Sequence, residues 1–312
     1  MHGAGVIGKG IKLACPVCHR GLAGQECPAC GQTYGMVGGV RSFICRGLYG
    51  SDEEFAAAER IIDFWGKGWE KRLAEPEHAF LFSSSSEDLR TWARSDIEWQ
   101  RQHDSLLAND LPLDASLRDK VVLNIGAGAG TEALLLSLSG ANCIAMDITA
   151  PAAQAAEYLI LKTGGQGVGV QADARFIPLE SSSVDIVYSS GVLHHSPDVA
   201  ESVSEIYRVL KPGGTAYVML YATWSIMFMQ MRLMLSMGEK AWETEGRKNP
   251  CTTTYTVGEC KKLFSRFDRV AVRKTGASLK QIKLIGRLLP TRFDGALGPL
   301  LGPRLNIVAA KQ

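Results

Sequence analysis

Hydrophobic positions along this chain follow two different periods. From residue 118 onward, short apolar runs alternate with segments of helical pattern. Val121–Ile125 is followed by a leucine-rich stretch over 131–139, and Asn142–Asp147 by a helix from Pro151. Residues 168–171 and 184–188 are further apolar runs, each ending in a polar turn. A turn at 210–214 leads to a run over 215–221, then a helix over 256–264 and runs over 269–274 and 305–310. Runs this short and apolar suit strands buried on both faces. Their alternation with helices predicts an α/β fold with a seven-stranded, mainly parallel sheet.

Residues 51–117 follow the helical period instead. Asp52, Glu53 and Glu54 precede apolar positions at Phe55, Ile61, Ile62, Trp65 and Trp69, with acids in the first turn, where the helix dipole favours them. Gly66 and Gly68 interrupt the pattern between the tryptophans. The serines at 83–86 predict a flexible joint, with a second helical pair over 87–110. FWGKGW reads first as a packing face and second as a hinged aromatic lid. Residues 1–50 have few large apolar residues. Late in the chain, 224–237 is crowded with methionine, a side chain that adapts to varied apolar surfaces, and 276–304 is basic and leucine-rich.

The cysteines change the picture of the first fifty residues. Cys15, Cys18, Cys27 and Cys30 form two Cys-x-x-Cys pairs, the spacing of a four-thiolate structural zinc site. A segment so poor in core residues has little other means of folding. Two disulfides are the competing arrangement, disfavoured in a chain expected to be cytoplasmic. The segment resembles the zinc ribbon at the N-terminus of many bacterial methyltransferases, that of ribosomal-RNA guanine methyltransferases, and an activator subunit of tRNA methyltransferases.

The chemistry concentrates at the glycine turn after residue 125. Gly126, Gly128 and Gly130 let the backbone turn sharply and approach a ligand, and the following helix opens with unpaired N–H groups. A dinucleotide fingerprint would place its third glycine at 131, where Thr131 stands. Asp147 ends the next strand, placed to accept both hydroxyls of a ribose. Asp173 follows the third strand, where it can accept from an adenine amino group.

The ordered set LNIGAGAGTE, Asp147, QADARFIPLESSSVDIVYSSGVLHH and LKPGG resembles class I S-adenosylmethionine-dependent methyltransferases, in particular the group containing ubiquinone and menaquinone methyltransferases. The resemblance covers 118–221 and implies a Rossmann-like methyltransferase sheet with S-adenosylmethionine as cofactor. Carried over by position, Gly126, Ala127, Gly128 and Gly130 line the methionine and ribose end. Asp147 takes the ribose hydroxyls, Ile148 stacks on adenine, Asp173 and Ala174 read its edge, and Ser190 closes the site. Asn124 stands where the family usually has an acid, and its amide oxygen still accepts from the cofactor's amino group. The expected organisation is a zinc ribbon over 1–50, a helical cap over 51–117, and a methyltransferase domain over 118–312 with insertions at 222–255 and 276–304.

His194 and His195 follow the fourth strand at the edge where such sheets bind ligands. An imidazole suits proton removal near neutrality, so either is a candidate general base, with Tyr221 a weaker one. The chain's net charge is only +2, yet residues 261–312 carry twelve Lys/Arg against Asp268 and Asp294. Apolar insertions flanked by positive charge point to a small apolar or anionic substrate, lipid-like or phosphorylated, with contact to a membrane surface. RNA base methylation is the alternative, weakened by the lack of aromatics interleaved with basic residues. A non-catalytic S-adenosylmethionine-binding adaptor is a second. No signal-like or membrane-spanning run is present, so a cytoplasmic location is expected.

Overall fold

The computed structural model describes residues 10–22, 24–226, 228–229, 251–276 and 299–312. Most of the methionine-rich 224–237 stretch and most of 276–304 lie outside these residues, and with them the expectation that apolar insertions flanked by positive charge meet the substrate and a membrane surface.

The sheet is built on β3 (Val121–Ile125) and β4 (Asn142–Asp147), in which every residue is buried. It continues through β5 (Gln166–Gln171), β6 (Val184–Ser190), β7 (Leu210–Tyr221), β8 (Arg269–Thr275) and β9 (Arg304–Ala310). β3 to β7 run parallel, and β9 lies antiparallel between β7 and β8. Parallel neighbours need a crossover. Those after β3, β4 and β6 contain α5 (Thr131–Leu138), α6 (Ala150–Lys162) and α7 (Val199–Val209). β4 lies on one side of β3 and β6 on the other. Connections therefore diverge at the C-terminal end of β3, which opens a crevice there. The glycine turn sits at its edge.

The seven expected strands are present, and two more join them. β1 (Met36–Val37) and β2 (Val40–Ser42) form a hairpin whose turn residues, Gly38 and Gly39, both have positive φ, as a tight hairpin turn requires. β2 then pairs in parallel with β5, Arg41 opposite Val170, covering what would otherwise be a sheet edge. Cys15, Cys27, Tyr34 and Phe43 belong to the same apolar core as Ile177, Leu179 and Met146. The cysteine-bearing segment is thus continuous with the sheet in both hydrogen bonding and packing.

Ahead of β3 come α1 (Asp52–Leu73), α2 (Pro76–Ser83), α3 (Ser86–Gln102) and α4 (Leu106–Asp110). The hinge of the second reading of FWGKGW is not seen in α1: the helix runs unbroken through Gly66 and Gly68. Ser51 caps its first turn, three acids follow, and Ala58 and Ile61 are buried; together these offset the cost of two helical glycines, about 1 kcal/mol each. The serine joint is only the turn into α3, where Ser85 and Asp88 form a reciprocal capping box. The turn expected at 210–214 lies inside β7, and the register shifts between Val184 and Ile186 where the two strands begin to pair. α8 (Val257–Leu263) opens with a second capping box, Thr256 with Glu259. Among the described residues no helix is long and apolar enough to cross a membrane.

Candidate functional site

A pocket of about 720 Å³, counted to its open mouth, lies at the C-terminal ends of β3 to β6. Its floor is Ile125 and Gly126 from β3, Met146, Asp147 and Ile148 from β4, and Ala172 to Ala174 after β5. The loop after β6 supplies Val192, Leu193 and His195. The far wall is Ile61, Trp65 and Trp69 of α1. A mostly apolar pocket of this size with a few convergent polar groups suits a small-molecule ligand.

The three glycines do different things. Gly126 has φ +77° and lines the pocket; a Cβ there would stand 2.1 Å from Val192. Gly128 lies against the Trp69 indole, 2.9 Å from where its Cβ would be, and its N–H donates to Asp147 Oδ2 at 3.2 Å. Gly130 begins α5 in the left-handed region and lets that helix pack on Ala156 of α6, 2.7 Å from its would-be Cβ. It serves packing and does not line the pocket. Ala127 is fully buried and does not line it either.

Asp147 is 6% exposed at the pocket floor. Its Oδ1 accepts from the Thr149 N–H at 2.9 Å and the Thr149 hydroxyl at 2.8 Å. Oδ2 accepts from the Gly128 N–H and keeps acceptor capacity for a ligand hydroxyl. Burial raises its pKa, against the pull of these hydrogen bonds. Asn124 does not line the pocket; its Oδ1 is enclosed, two residues before Gly126, with no partner among the described residues. A glycine in the floor and a carboxylate at the pocket with acceptor capacity left fit a hydroxyl-bearing ligand such as an adenosyl compound. Ser190, at the end of β6, lies outside the lining.

Asp173 lines the pocket and is also tied to Arg175. The guanidinium donates to its carboxylate through Nε at 3.2 Å and Nη2 at 2.8 Å, and through Nη1 to Glu54 of α1 at 2.9 Å. Arg175 and Asp173 side chains are each 4% exposed. Burial works against the Arg175 charge, yet its two carboxylate partners, together with Tyr49, outweigh that and raise its pKa. The network joins the α1 wall to the floor. Arg175 and Glu54 carried no functional signal in the sequence, because one partner lies 121 residues from the other.

The paired histidines part company. The His195 ring lines the pocket, 5.0 Å from the Trp65 ring, with Nδ1 3.1 Å from both the Cys251 carbonyl and the Thr252 hydroxyl. Burial lowers its pKa and the Cys251 carbonyl opposes the shift. His194 is fully enclosed, 3.8 Å from the Tyr221 ring, and neither of its nitrogens has a partner among the described residues. Burial, and then the nearby His195, hold its pKa well below the ordinary value. Tyr221 packs on His194 and does not line the pocket.

A second cluster lies away from the pocket. Cys15, Cys18, Cys27 and Cys30 bring four sulfurs within 4.8 Å of one another. Cys15 Sγ is 3.6 Å from Cys30 Sγ, and Cys18 Sγ is 3.4 Å from Cys27 Sγ. A tetrahedral zinc with bonds of about 2.3 Å holds its sulfurs about 3.8 Å apart, whereas a disulfide needs about 2 Å. Both knuckles share one backbone pattern: His19 N–H donates to the Cys15 carbonyl and Gly31 N–H to the Cys27 carbonyl, at 2.7 and 2.8 Å. His19 and Gly31 both have positive φ. Four convergent thiols leave no open position, which fits a structural ion.

Residues 123–218 match the family model described as a methyltransferase domain. The chain is 30% identical over 168 residues to sterol 24-C-methyltransferase of Pneumocystis carinii, covering 53% of this chain and 39% of the relative. It is 28% identical over 207 residues to chloroplastic tocopherol O-methyltransferase of Arabidopsis thaliana, covering 63% of this chain and 55% of the relative. The chain thus spans less than two thirds of the length of these curated relatives. Among solved structures, phosphoethanolamine N-methyltransferase 2 of Haemonchus contortus, in complex with S-adenosyl-L-methionine, aligns with a TM-score of 0.47 at 19% identity, over 68% of this chain and 53% of that one.

Proposed function

The chain carries a methyltransferase domain over residues 123–218, and on that premise we propose that it transfers a methyl group from S-adenosylmethionine to a small, apolar or anionic molecule. The observation that carries the reading is the pocket at the divergence point of the sheet, where Gly126, Asp147 and Asp173 converge beneath an apolar wall. The two curated relatives are named for a sterol and a tocopherol, and an apolar acceptor for this chain agrees with them in class.

When bound, S-adenosylmethionine supplies a methyl group already activated by a positive sulfur. Asp147 would hold the ribose hydroxyls through Oδ2, Ile148 would pack on the adenine, and Asp173 and Ala174 would meet the adenine edge. Ile61, Trp65 and Trp69 exclude water and hold the reactants in line, and such positioning supplies much of the catalysis. His195 takes the proton from an acceptor that must lose one; its lowered pKa keeps it neutral and ready at pH 7. The four cysteines hold a structural zinc ion.

Calorimetric titration with S-adenosylmethionine tests the reading. The protein binds it, and Asp147→Ala weakens binding at least tenfold. Unchanged affinity in the variant would remove the ribose role of Asp147, and no binding by the unaltered protein would remove the methyltransferase reading itself.

A further inference from the structure

Trp65 and Trp69 stand one helical turn apart, on one face of α1, and both line the pocket. Trp69 lies against Gly128 in the glycine turn, and Trp65 lies 5.0 Å from the ring of His195. Between them the two indoles span the stretch of pocket from the turn to the histidine. On the methyltransferase reading, on which this inference rests, the turn receives the methionine end and His195 faces the acceptor. The sulfur and its transferable methyl then lie along that stretch.

A positive sulfur in this place needs a partner. The carboxylates of the lining are Asp147 and Asp173. Asp147 is held by Thr149 and Gly128, and Asp173 by Arg175. What the α1 side offers is aromatic. An indole face is negative at its centre and attracts cations, more strongly where water is excluded. One cation already uses Trp69 this way, with the Arg72 guanidinium carbon 5.3 Å from the ring centroid.

We infer that Trp65 and Trp69 form an aromatic clamp that recognises the positive sulfur of the methyl donor and so discriminates the donor from its spent product. Transfer breaks the S–CH3 bond and forms a bond from the same methyl to the acceptor. The electron pair of the broken bond stays on sulfur, and the acceptor's proton, where it has one, goes to His195. The product is a neutral thioether that the indole faces no longer attract. The clamp therefore favours entry of the charged donor and release of the neutral product, and a leucine in either place would keep apolar contact but lose this preference.

The test is the ratio of dissociation constants for S-adenosylhomocysteine and S-adenosylmethionine, measured by calorimetry. The unaltered protein binds the charged donor more tightly. In the Trp65→Leu/Trp69→Leu variant that preference falls by roughly five- to thirty-fold, the equivalent of one cation–π contact, while Trp65→Phe/Trp69→Phe keeps most of it. An unchanged ratio in the leucine variant overturns the clamp. If that variant does not fold, the unaltered protein and the phenylalanine variant still decide: equal affinity for both compounds in the unaltered protein, or a phenylalanine variant with no preference, overturns it. Failure of the unaltered protein to bind either compound overturns the methyltransferase reading and the clamp together.

Discussion

A tight helical turn over Leu193–His195 sends successive side chains in directions about 120° apart, so one histidine reaches the pocket and its neighbour enters the core. The HH pair was legible in the sequence as a candidate base at the right edge of the sheet. Which ring faces the ligand was not legible, because it depends on the turn that carries them. His194 is buried with its pKa well below that of an unfolded chain, near 6.5. Below that pH the unfolded chain takes up a proton that folded His194 refuses. The stability is complete above about pH 6.5 and is lost as the pH falls beneath it. His194→Phe fills the same space with no nitrogens to protonate. Its melting temperature should fall less than that of the unaltered protein between pH 7 and 5, and an equal fall would refute the account. His195 belongs to the site instead. For an acceptor that must lose a proton, His195→Gln should cost at least roughly tenfold in rate. The acid limb of the rate profile should lie below pH 6.5 and vanish in that variant; an unaltered limb would assign the base elsewhere.

At the scale of the element, α1 shows how far a local signal can mislead. Two glycines in three residues mark a break on propensity alone, yet the cap at Ser51, the acidic first turn and the buried face carry the helix through them. Among the described residues nothing lies within 4 Å of a Cβ added at Gly66 or Gly68. Alanine at both should therefore stabilise the protein by about 0.5–1 kcal/mol per site and leave S-adenosylmethionine affinity intact. A folded variant with weakened binding would restore the hinge that the sequence suggested. The helix is anchored at its other end by Arg175. Arg175→Met leaves the buried Asp173 carboxylate without its guanidinium, and losing one partner of a buried pair costs about 3–5 kcal/mol. Denaturant unfolding should show that loss, whereas a cost below about 1 kcal/mol would mean that α1 is held by apolar contacts alone. This anchor was not legible either, since it joins residues whose proximity only the tertiary fold creates.

For the whole molecule, the parallel sheet was readable from its apolar runs, and the pocket from the glycine turn and the two aspartates that end neighbouring segments. The N-terminal strands were not, because two- and three-residue strands are too short to show a period. Their presence changes what the cysteine cluster does. A ribbon tethered ahead of the sheet would unfold by itself when stripped of metal. Here β2 hydrogen-bonds to β5, and Cys15 and Cys27 share a core with Ile177 and Leu179, so the ion site and the cofactor floor that follows β5 form one packed body. If the four cysteines hold a structural ion, elemental analysis should find one zinc per chain. Removing it with a chelator under reducing conditions leaves four thiols converging with no ion between them, in a segment poor in other core residues. The protein should then unfold in a single transition at a lower temperature, with S-adenosylmethionine binding weakened as well. Two separate transitions, the later one unshifted, would show that the ribbon and the sheet are independent after all.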